Sequence, residues 1–257
     1  MSDLPRLKTA GLSGYISLSG PPFSLTNAGF AYNAKNGSIE AAVAPLLSWL
    51  DEHNSTVTSS STLMFKQRWI DVYHMFNLTQ AAGGGNSAFS SRLLPVSSVT
   101  NNTAALAETL AKVAERDPAD QPGVSNPAIS GTWTLGPIPD EASSLSSAWR
   151  DAIVHLRIAK SWDGDLDAAE AERVTDYMTN NTGYALRQLA PDAGAYFNEA
   201  DPNEPNWQYS YFGENYAKLR AIKAKYDPEG LQWCDRCVGS EEWIEGEKGQ
   251  FCKTEWA

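Results

Sequence analysis

The stretch that most constrains the fold runs from Gly194 to Tyr226 and is followed by Asp227-Pro228. It opens with a short apolar segment, passes through a loop rich in carboxylates, amides and aromatic rings, and closes with an amphipathic helix that the proline ends. This order predicts a strand, a polar loop and a helix, which is a common way to present side chains to a ligand. We expect the helix to bury a stripe formed by Tyr216, Leu219, Ile222 and Tyr226.

The composition predicts a folded protein and excludes two classes of partner. With 257 residues, 42% hydrophobic and 11% aromatic, the chain is long and apolar enough to build a sizeable core. A net charge of -11 argues against nucleic-acid binding, because that requires a basic face. No apolar run approaches the roughly 18 to 20 residues that a membrane helix needs, and residues 1–14 lack the apolar core of a signal peptide. We therefore expect neither a nucleic-acid partner nor a membrane anchor.

The glycosylation triplets and the cysteines suggest an oxidising compartment without settling it. Five Asn-x-Ser/Thr acceptors occur, at Asn36, Asn54, Asn77, Asn101 and Asn180. Cys234 and Cys237 form a single CxxC, and Cys252 follows, with no histidine nearby, so this segment cannot supply a four-ligand zinc site. A disulfide in the tail with one thiol left over and three reduced cysteines both remain open. We predict no metal site.

The first third of the chain reads as short strands and one helix. Two extended segments lie within residues 12–33, with Pro21-Pro22 at the turn between them. Helical spacing begins at Ser38, which we expect to cap the helix, and Pro45 inside it allows for a kink. Residues 55–62, rich in serine and threonine, suggest a strand, whereas residues 63–76 fit either a helix or a strand.

The middle of the chain alternates helices and strands. The glycines at 83–85 are predicted to form a flexible connection, since they lack the lysine and hydroxyl of a nucleotide loop. Thr103 is expected to cap a helix that ends at Glu115. Residues 128–136 and 152–159 have the character of strands, and the acidic run 163–167 precedes a helix toward Tyr177. An α+β fold, with one antiparallel sheet covered by helices on one face, accounts for this order most economically.

Several residue groups of the opening stretch resemble a known family. They are Tyr196-Phe197-Asn198-Glu199-Ala200-Asp201, Glu204-Pro205-Asn206-Trp207-Gln208, Phe212-Gly213-Glu214-Asn215-Tyr216, Tyr226-Asp227-Pro228 and Val238-Gly239-Ser240-Glu241. Together they resemble the C-terminal berberine-bridge segment of fungal FAD-linked oxidases. Weaker likenesses at residues 10–15, 90–95 and 148–155 extend the resemblance over nearly the whole chain.

The resemblance implies a substrate domain, residues 1–190, followed by a berberine-bridge-like segment, residues 191–257, that braces a flavin. Such enzymes hold FAD tightly, oxidise an alcohol, a sugar or a secondary metabolite by hydride transfer, and pass the electrons to O2. The N-terminal flavin domain of the family is absent from this sequence. We therefore expect the chain to contact only the ring end of FAD and to bind it tightly only when a separate flavin-domain chain is supplied. The triplets and the odd cysteine then fit a secreted or vesicular parent protein.

The resemblance also implies roles for individual residues. Glu199 is expected to transfer a proton to or from the small-molecule substrate. The flavin contacts are predicted at Tyr196, Asn198, Gly213, Asn215 and Tyr216. The predicted lining of the substrate pocket is His155, Tyr209 and Tyr211. In an ideal strand Asn198 and Glu199 would point to opposite faces, so both can reach one pocket only if the strand ends or bulges there.

Three hypotheses about function remain. The first is the substrate-domain half of a fungal FAD-linked oxidoreductase of secondary metabolism. The second is a cofactor-free isomerase, cyclase or ligand-binding protein that uses Glu199 as an acid or base. The third is a gene fragment with no separate function.

Overall fold

Five strands form the central sheet of the computed structural model, which describes residues 1–75, 85–134, 143–246 and 249–254. The strands are β1 (Leu12–Ser19), β2 (Ser24–Ala31), β3 (Asn86–Pro95), β4 (Ala128–Trp133) and β5 (Ala152–Trp162). Their order across the sheet is β2-β1-β4-β5-β3, and every pair is antiparallel. A separate hairpin pairs β6 (Trp243–Glu245) with β7 (Phe251–Lys253). The predicted α+β class with an antiparallel sheet is confirmed.

One helix precedes β1, and the other helices fall between the strands of the sheet and after its last strand. The α-helices are α1 (Leu4–Thr9), α2 (Ser38–Glu52), α3 (Trp69–Met75), α4 (Val96–Thr100), α5 (Thr103–Ala114), α6 (Ala148–Asp151), α7 (Ala168–Tyr177), α8 (Tyr184–Leu189), α9 (Trp207–Phe212) and α10 (Tyr216–Tyr226). A π-helix, Met178–Gly183, joins α7 to α8, and three 3₁₀ turns span Phe197–Glu199, Gly213–Asn215 and Ser240–Glu242.

One face of the sheet is apolar and is covered by helices. Burial alternates along β1, where every second residue from Leu12 points inward. Val154, Leu156 and Ile158 of β5 lie on the same side and are fully buried. Their core also contains residues of α1, α2, α5 and α8, including Leu7, Ala42, Leu106 and Leu186. This helix-covered face holds the main hydrophobic core.

The other face is polar, and we call it the open face. The strand registers place on it Tyr15 and Ser17 of β1, Ser130 and Thr132 of β4, and His155 and Arg157 of β5. Tyr15 is 59% exposed, and Ser130, Thr132 and Arg157 are half-buried. Ser91 and Leu93 of β3, which register with Arg157 and His155, are buried. At this edge of the sheet the chain that follows α8 is bonded to β3, because the backbone amide of Leu93 donates to the carbonyl of Gly194 over 2.9 Å. The open face therefore changes from exposed at β1 to buried at β3.

The sequence predicted most elements of the first half correctly, with errors at the helix caps and in one strand. Residues 55–62 form no strand, and the ambiguous stretch 63–76 contains α3. Ser38 is the first residue of α2 and donates to the carbonyl of Lys35, so it does not cap the helix. Asn102, rather than Thr103, caps α5 by accepting from the amide of Ala105. Gly83 and Gly84 of the glycine run lie outside the described residues, as do the last two residues of the strand predicted at 128–136.

The structure of the chain from Gly194 onward differs most from the sequence-based prediction. The apolar opening of the Gly194 stretch forms no strand, and α10 has no buried residue. Ile222 is 45% exposed and Tyr226 is 76% exposed, so the predicted buried stripe of α10 is wrong. Ala195, Trp207 and Tyr211 form a second, smaller core instead. Cys234 and Cys237 form a disulfide, and Cys252 is a free, exposed thiol.

The described part of the chain contains neither a candidate membrane span nor a candidate metal site. None of its helices has the length and apolarity needed to cross a bilayer. Its histidines, cysteines and carboxylates form no cluster that could hold a metal ion.

Candidate functional site

Glu199 lies in a 3₁₀ turn, Phe197–Glu199, at the rim of the open face. The turn follows a short segment whose backbone is fixed at both sides, since Gly194 accepts from Leu93 and the amide of Ala195 donates to Ser210 over 2.8 Å. A 3₁₀ turn rotates successive side chains by about 120° rather than 180°. The conflict that an ideal strand would impose between Asn198 and Glu199 is thereby removed.

The Glu199 carboxylate faces two basic side chains of β5. Its Oε1 atom lies 3.4 Å from Nη1 of Arg157, and its Oε2 atom lies 3.7 Å from Nδ1 of His155. The side chain of Glu199 keeps 38% of its surface exposed, against 7% for His155 and 33% for Arg157. Within this trio the Glu199 carboxylate and the Arg157 guanidinium are thus similarly accessible, whereas His155 is buried.

His155 occupies an aromatic pocket. The centre of its ring lies 5.8 Å from that of Trp149 and 5.4 Å from that of Tyr196, and the last two rings meet edge to face at 5.2 Å. Burial lowers the pKa of His155, the nearby Glu199 carboxylate opposes this effect, and Arg157 adds to the lowering. Its Nε2 atom is buried and has no hydrogen-bond partner. His155 is therefore neutral near pH 7 and carries one unused polar atom.

Arg157 is held from below and left accessible from above. Its Nε atom donates to the hydroxyl of Ser130 at 3.3 Å, and its guanidinium carbon lies 5.3 Å from the centre of the Phe89 ring. The contact with Glu199 at 3.4 Å is also a long one. An arginine fixed by stacking and by two long hydrogen bonds can tighten its contacts when a ligand arrives.

Tyr196 and Asn198 form a polar rim beside the trio. The side-chain amide of Asn198 donates to the hydroxyl of Tyr196 over 2.8 Å, and Asn198 is exposed. A flavin ring is flat and carries nitrogen and oxygen atoms along its edge, which amides and hydroxyls can hydrogen-bond. An exposed polar sheet face with such a rim, and with an orphaned polar atom on His155, fits the ring end of a flavin. The predicted cofactor contacts of Tyr196 and Asn198 stay predictions.

The other predicted flavin contacts lie around α10 and have partners within the chain. Asn215 donates to the carbonyl of Leu145 over 2.8 Å, and the hydroxyl of Tyr216 lies 2.6 Å from the carboxylate of Glu241. Burial, followed by that carboxylate, raises the pKa of Tyr216. Gly213 adopts a positive φ of 59°, which an L side chain rarely takes. The structure thus gives these residues clear local roles, and their role toward a flavin stays a prediction.

The predicted pocket residues do not come together. His155 lies on the open face, whereas Tyr211 is buried in the second core and donates its hydroxyl to the carbonyl of Asp201. Burial is the main reason why the pKa of Tyr211 is raised. Tyr209 is 46% exposed on α9. Of the three, only His155 contacts Glu199 in the described part of the chain.

A buried ion network fixes the segment that carries Glu199. The carboxylate of Glu204 lies between Arg92 of β3, at 2.9 Å, and Arg187 of α8, at 3.0 Å. Ser210 adds a hydrogen bond to the same carboxylate over 3.0 Å. Asp201 is also buried, and its burial raises its pKa. Because Glu204 lies five residues after Glu199, this network anchors the turn to the sheet and to α8.

Arg157 and Trp149 were not predicted as site residues. One signal for Arg157 was present, since His155 and Arg157 are two positions apart in a strand and must share a face. The pairing of Arg92 with Glu204 had no sequence signal, because 112 positions separate the two residues.

Comparisons with known proteins identify FAD-linked oxidoreductases as relatives of the chain. Residues 195–234 match the family described as berberine and berberine like. The chain is 27% identical over 98% of its length to an FAD-linked oxidoreductase, patO, of Aspergillus clavatus, and it covers 43% of that protein. It is 31% identical over 87% of its length to the FAD-linked oxidoreductase ZEB1 of Gibberella zeae, covering 38% of it.

A solved structure shows the same fold. The VAO-type flavoprotein MtVAO713 from Myceliophthora thermophila C1 superposes on 98% of the chain with a TM-score of 0.84 at 26% identity, and the chain covers 46% of it. The chain therefore spans less than half the length of each of these relatives.

Proposed function

We propose that the chain is part of a berberine-like FAD-linked oxidoreductase, the class of protein to which it is similar, and that its open face forms the substrate side of a flavin-dependent oxidase site. In this proposal residues 1–190 form the substrate-binding domain and residues 191–257 brace the flavin. The observation that carries it is the accessible carboxylate of Glu199 above His155 and Arg157, beside the aromatic rings of Trp149 and Tyr196.

Glu199 acts as the base. It accepts the hydroxyl proton of an alcohol, a sugar or a secondary metabolite while the adjacent carbon loses its hydride, so that a carbonyl group forms. A flavin, when bound, would supply hydride acceptance and the transfer of the electrons to O2. Trp149 and Tyr196 orient the substrate and exclude water on one side of the carboxylate. A positioned base of this kind contributes roughly 10²- to 10⁴-fold to the rate.

The chain is expected to contact the ring end of FAD through Tyr196 and Asn198. We therefore predict that the purified chain carries far less than one flavin per molecule, as measured by absorbance near the visible flavin band. A separate flavin-domain chain is the partner that would complete the site. A stoichiometric yellow cofactor on the purified chain would contradict this part of the proposal.

The direct test combines the chain with the FAD-loaded portion of patO that the chain does not cover. The two parts are mixed or fused through a flexible linker, and a panel of primary, secondary and benzylic alcohols and aldoses is added without oxygen. We expect bleaching of the flavin absorbance that depends on the chain and on one class of substrate. The proposal fails if neither format bleaches faster with the chain than without it.

A further inference from the structure

We propose that His155 and Arg157 are positioning residues that hold the Glu199 carboxylate over the open face, one oxygen each. The proposal rests on the function proposed above, because it assigns Glu199 its orientation as a base. Its first observation is the division of contacts: Nη1 of Arg157 donates to Oε1 over 3.4 Å, and Nδ1 of His155 lies 3.7 Å from Oε2, which is longer than a hydrogen bond. Two N–H groups placed beside different oxygens restrict the rotation of a carboxylate more than a single donor does.

The two donors are rigid because their strand is paired on both sides. In the sheet His155 lies between Leu93 of β3 and Thr132 of β4, and Arg157 lies between Ser91 and Ser130. The spacing of two residues directs both side chains to the same face. The separation between the donors is thus set by the strand itself and not by a mobile loop.

The charge on Glu199 decides how the imidazole of His155 is protonated. A carboxylate opposite Nδ1 favours the tautomer with its proton on Nδ1, since a lone pair there would repel the carboxylate oxygen. This leaves the lone pair on Nε2, the buried atom without a partner. The Nε2 acceptor stays without a partner because the proton is on Nδ1, where it faces Glu199.

The result is a carboxylate held from below and accessible from above. When a substrate hydroxyl approaches, its O–H bond breaks and the proton passes to a Glu199 oxygen; an oxidised flavin, when bound, would supply the acceptor for the hydride of the adjacent carbon. His155 and Arg157 do not take the proton in this step. They keep the receiving lone pair directed at the substrate, which is a matter of orientation.

The environment of His155 provides a test on the chain as it exists. The charged or titratable groups that face its ring are Glu199 from the 3₁₀ turn, Arg157 from the same strand and Tyr196 from the preceding segment. The chain has three histidines, so the imidazole signals of His53 and His74 serve as internal references in a two-dimensional NMR titration.

Two substitutions should move the His155 titration in opposite directions. Glu199→Gln removes the carboxylate that raises the pKa of His155, and we expect that pKa to fall. Arg157→Gln removes a cation that lowers it, and we expect a rise. Glu172→Gln, at an exposed position of α7, is the matched control and should change nothing. An unmoved His155 in both Glu199→Gln and Arg157→Gln, with His53 and His74 still titrating as in the parent, would overturn the proposal.

A second readout separates positioning from simple packing. In the flavin-loaded complex, His155→Asn retains an N–H donor and should keep most of the kcat, whereas His155→Leu should lower kcat by about tenfold or more at an unchanged KM. Equal kcat values for the two variants would contradict a positioning role. Because the NMR titration uses the chain without flavin, coupled histidine shifts with no oxidation would overturn the proposed function alone.

Discussion

The two faces of the central sheet are built from the same strands and differ in burial and in the side chains at their centre. On the helix-covered face, Val154, Leu156 and Ile158 are fully buried in the main hydrophobic core. On the open face, the residues that alternate with them on β5 are His155 and Arg157, which contact a carboxylate and aromatic rings. Alternation along a strand thus assigns stability to one face and the candidate site to the other.

The difference between the two faces predicts which substitutions lower stability and which lower activity. Residues of the helix-covered face contribute to folding through area removed from water, which is large for each side chain. The polar side chains of the open face contribute little to the free energy of unfolding. Their proposed contribution is to activity, through the positions of their charged and polar groups. We therefore expect substitutions on the helix-covered face to lower stability and substitutions on the open face to lower activity. The exception is the segment after α8, where the network around Glu204 affects both.

The largest effect on stability is expected where the tail is anchored to the sheet. Glu204→Ala leaves the guanidinium groups of Arg92 and Arg187 buried without their carboxylate. Removing one partner of a buried ion pair costs about 3–5 kcal/mol of unfolding free energy. Urea denaturation at pH 7 measures it. A loss below about 1 kcal/mol would show that the tail is not anchored through this network.

A matched pair of substitutions compares the two faces directly. Leu156→Ala empties a fully buried position of the helix-covered face and should cost about 2–5 kcal/mol. Thr132→Ala, which faces the open side of the sheet and is half-buried, should stay within about 0.5 kcal/mol. Both values come from urea denaturation of otherwise identical chains. Equal losses for the two would contradict the division of roles between the faces.

The acid sensitivity of the chain should originate away from the site. Glu170 of α7 is hydrogen-bonded to Arg173, and this bond lowers the pKa of Glu170 to about 2. Because that pKa is below the ordinary value of 4.5, the stabilisation is complete above pH 4.5 and is lost as the pH falls toward 2.

Glu170→Gln removes this titration. We expect the urea midpoint of the parent chain to fall more steeply than that of Glu170→Gln between pH 4.5 and pH 2. Glu172→Gln, an exposed neighbour on the same helix, should follow the parent. If Glu170→Gln followed the parent too, the Glu170–Arg173 pair would contribute nothing to the acid sensitivity.

Local patterns in the sequence predicted the sheet well. The two extended segments of residues 12–33, separated by Pro21-Pro22, and the β-branched centre of residues 152–159 correctly indicated strands. The strand at 55–62 was wrong, since β propensity without a buried face does not make a strand. The stripe of α10 was wrong for a related reason: helical spacing of Ile222 and Tyr226 says that a face is apolar, not that anything covers it.

Part of the candidate site could be predicted from the sequence. The family resemblance predicted roles for Glu199 and His155, and the two side chains lie beside each other in the structure. The contribution of Arg157 follows from strand alternation once the strand is known. The turn that presents Glu199 depends on Arg92, Arg187 and Glu204, and such long-range ion pairs leave no periodic signal in a single sequence.

The proposed role of Glu199 as a base, presented by the open face to a substrate beside a flavin, can be measured directly. The measurement is the rate of anaerobic flavin bleaching in the FAD-loaded complex, for the parent chain, Glu199→Gln and the exposed control Glu172→Gln. We expect a loss of at least about 100-fold for Glu199→Gln and no change for Glu172→Gln. A Glu199→Gln complex that bleaches as fast as the parent would contradict it.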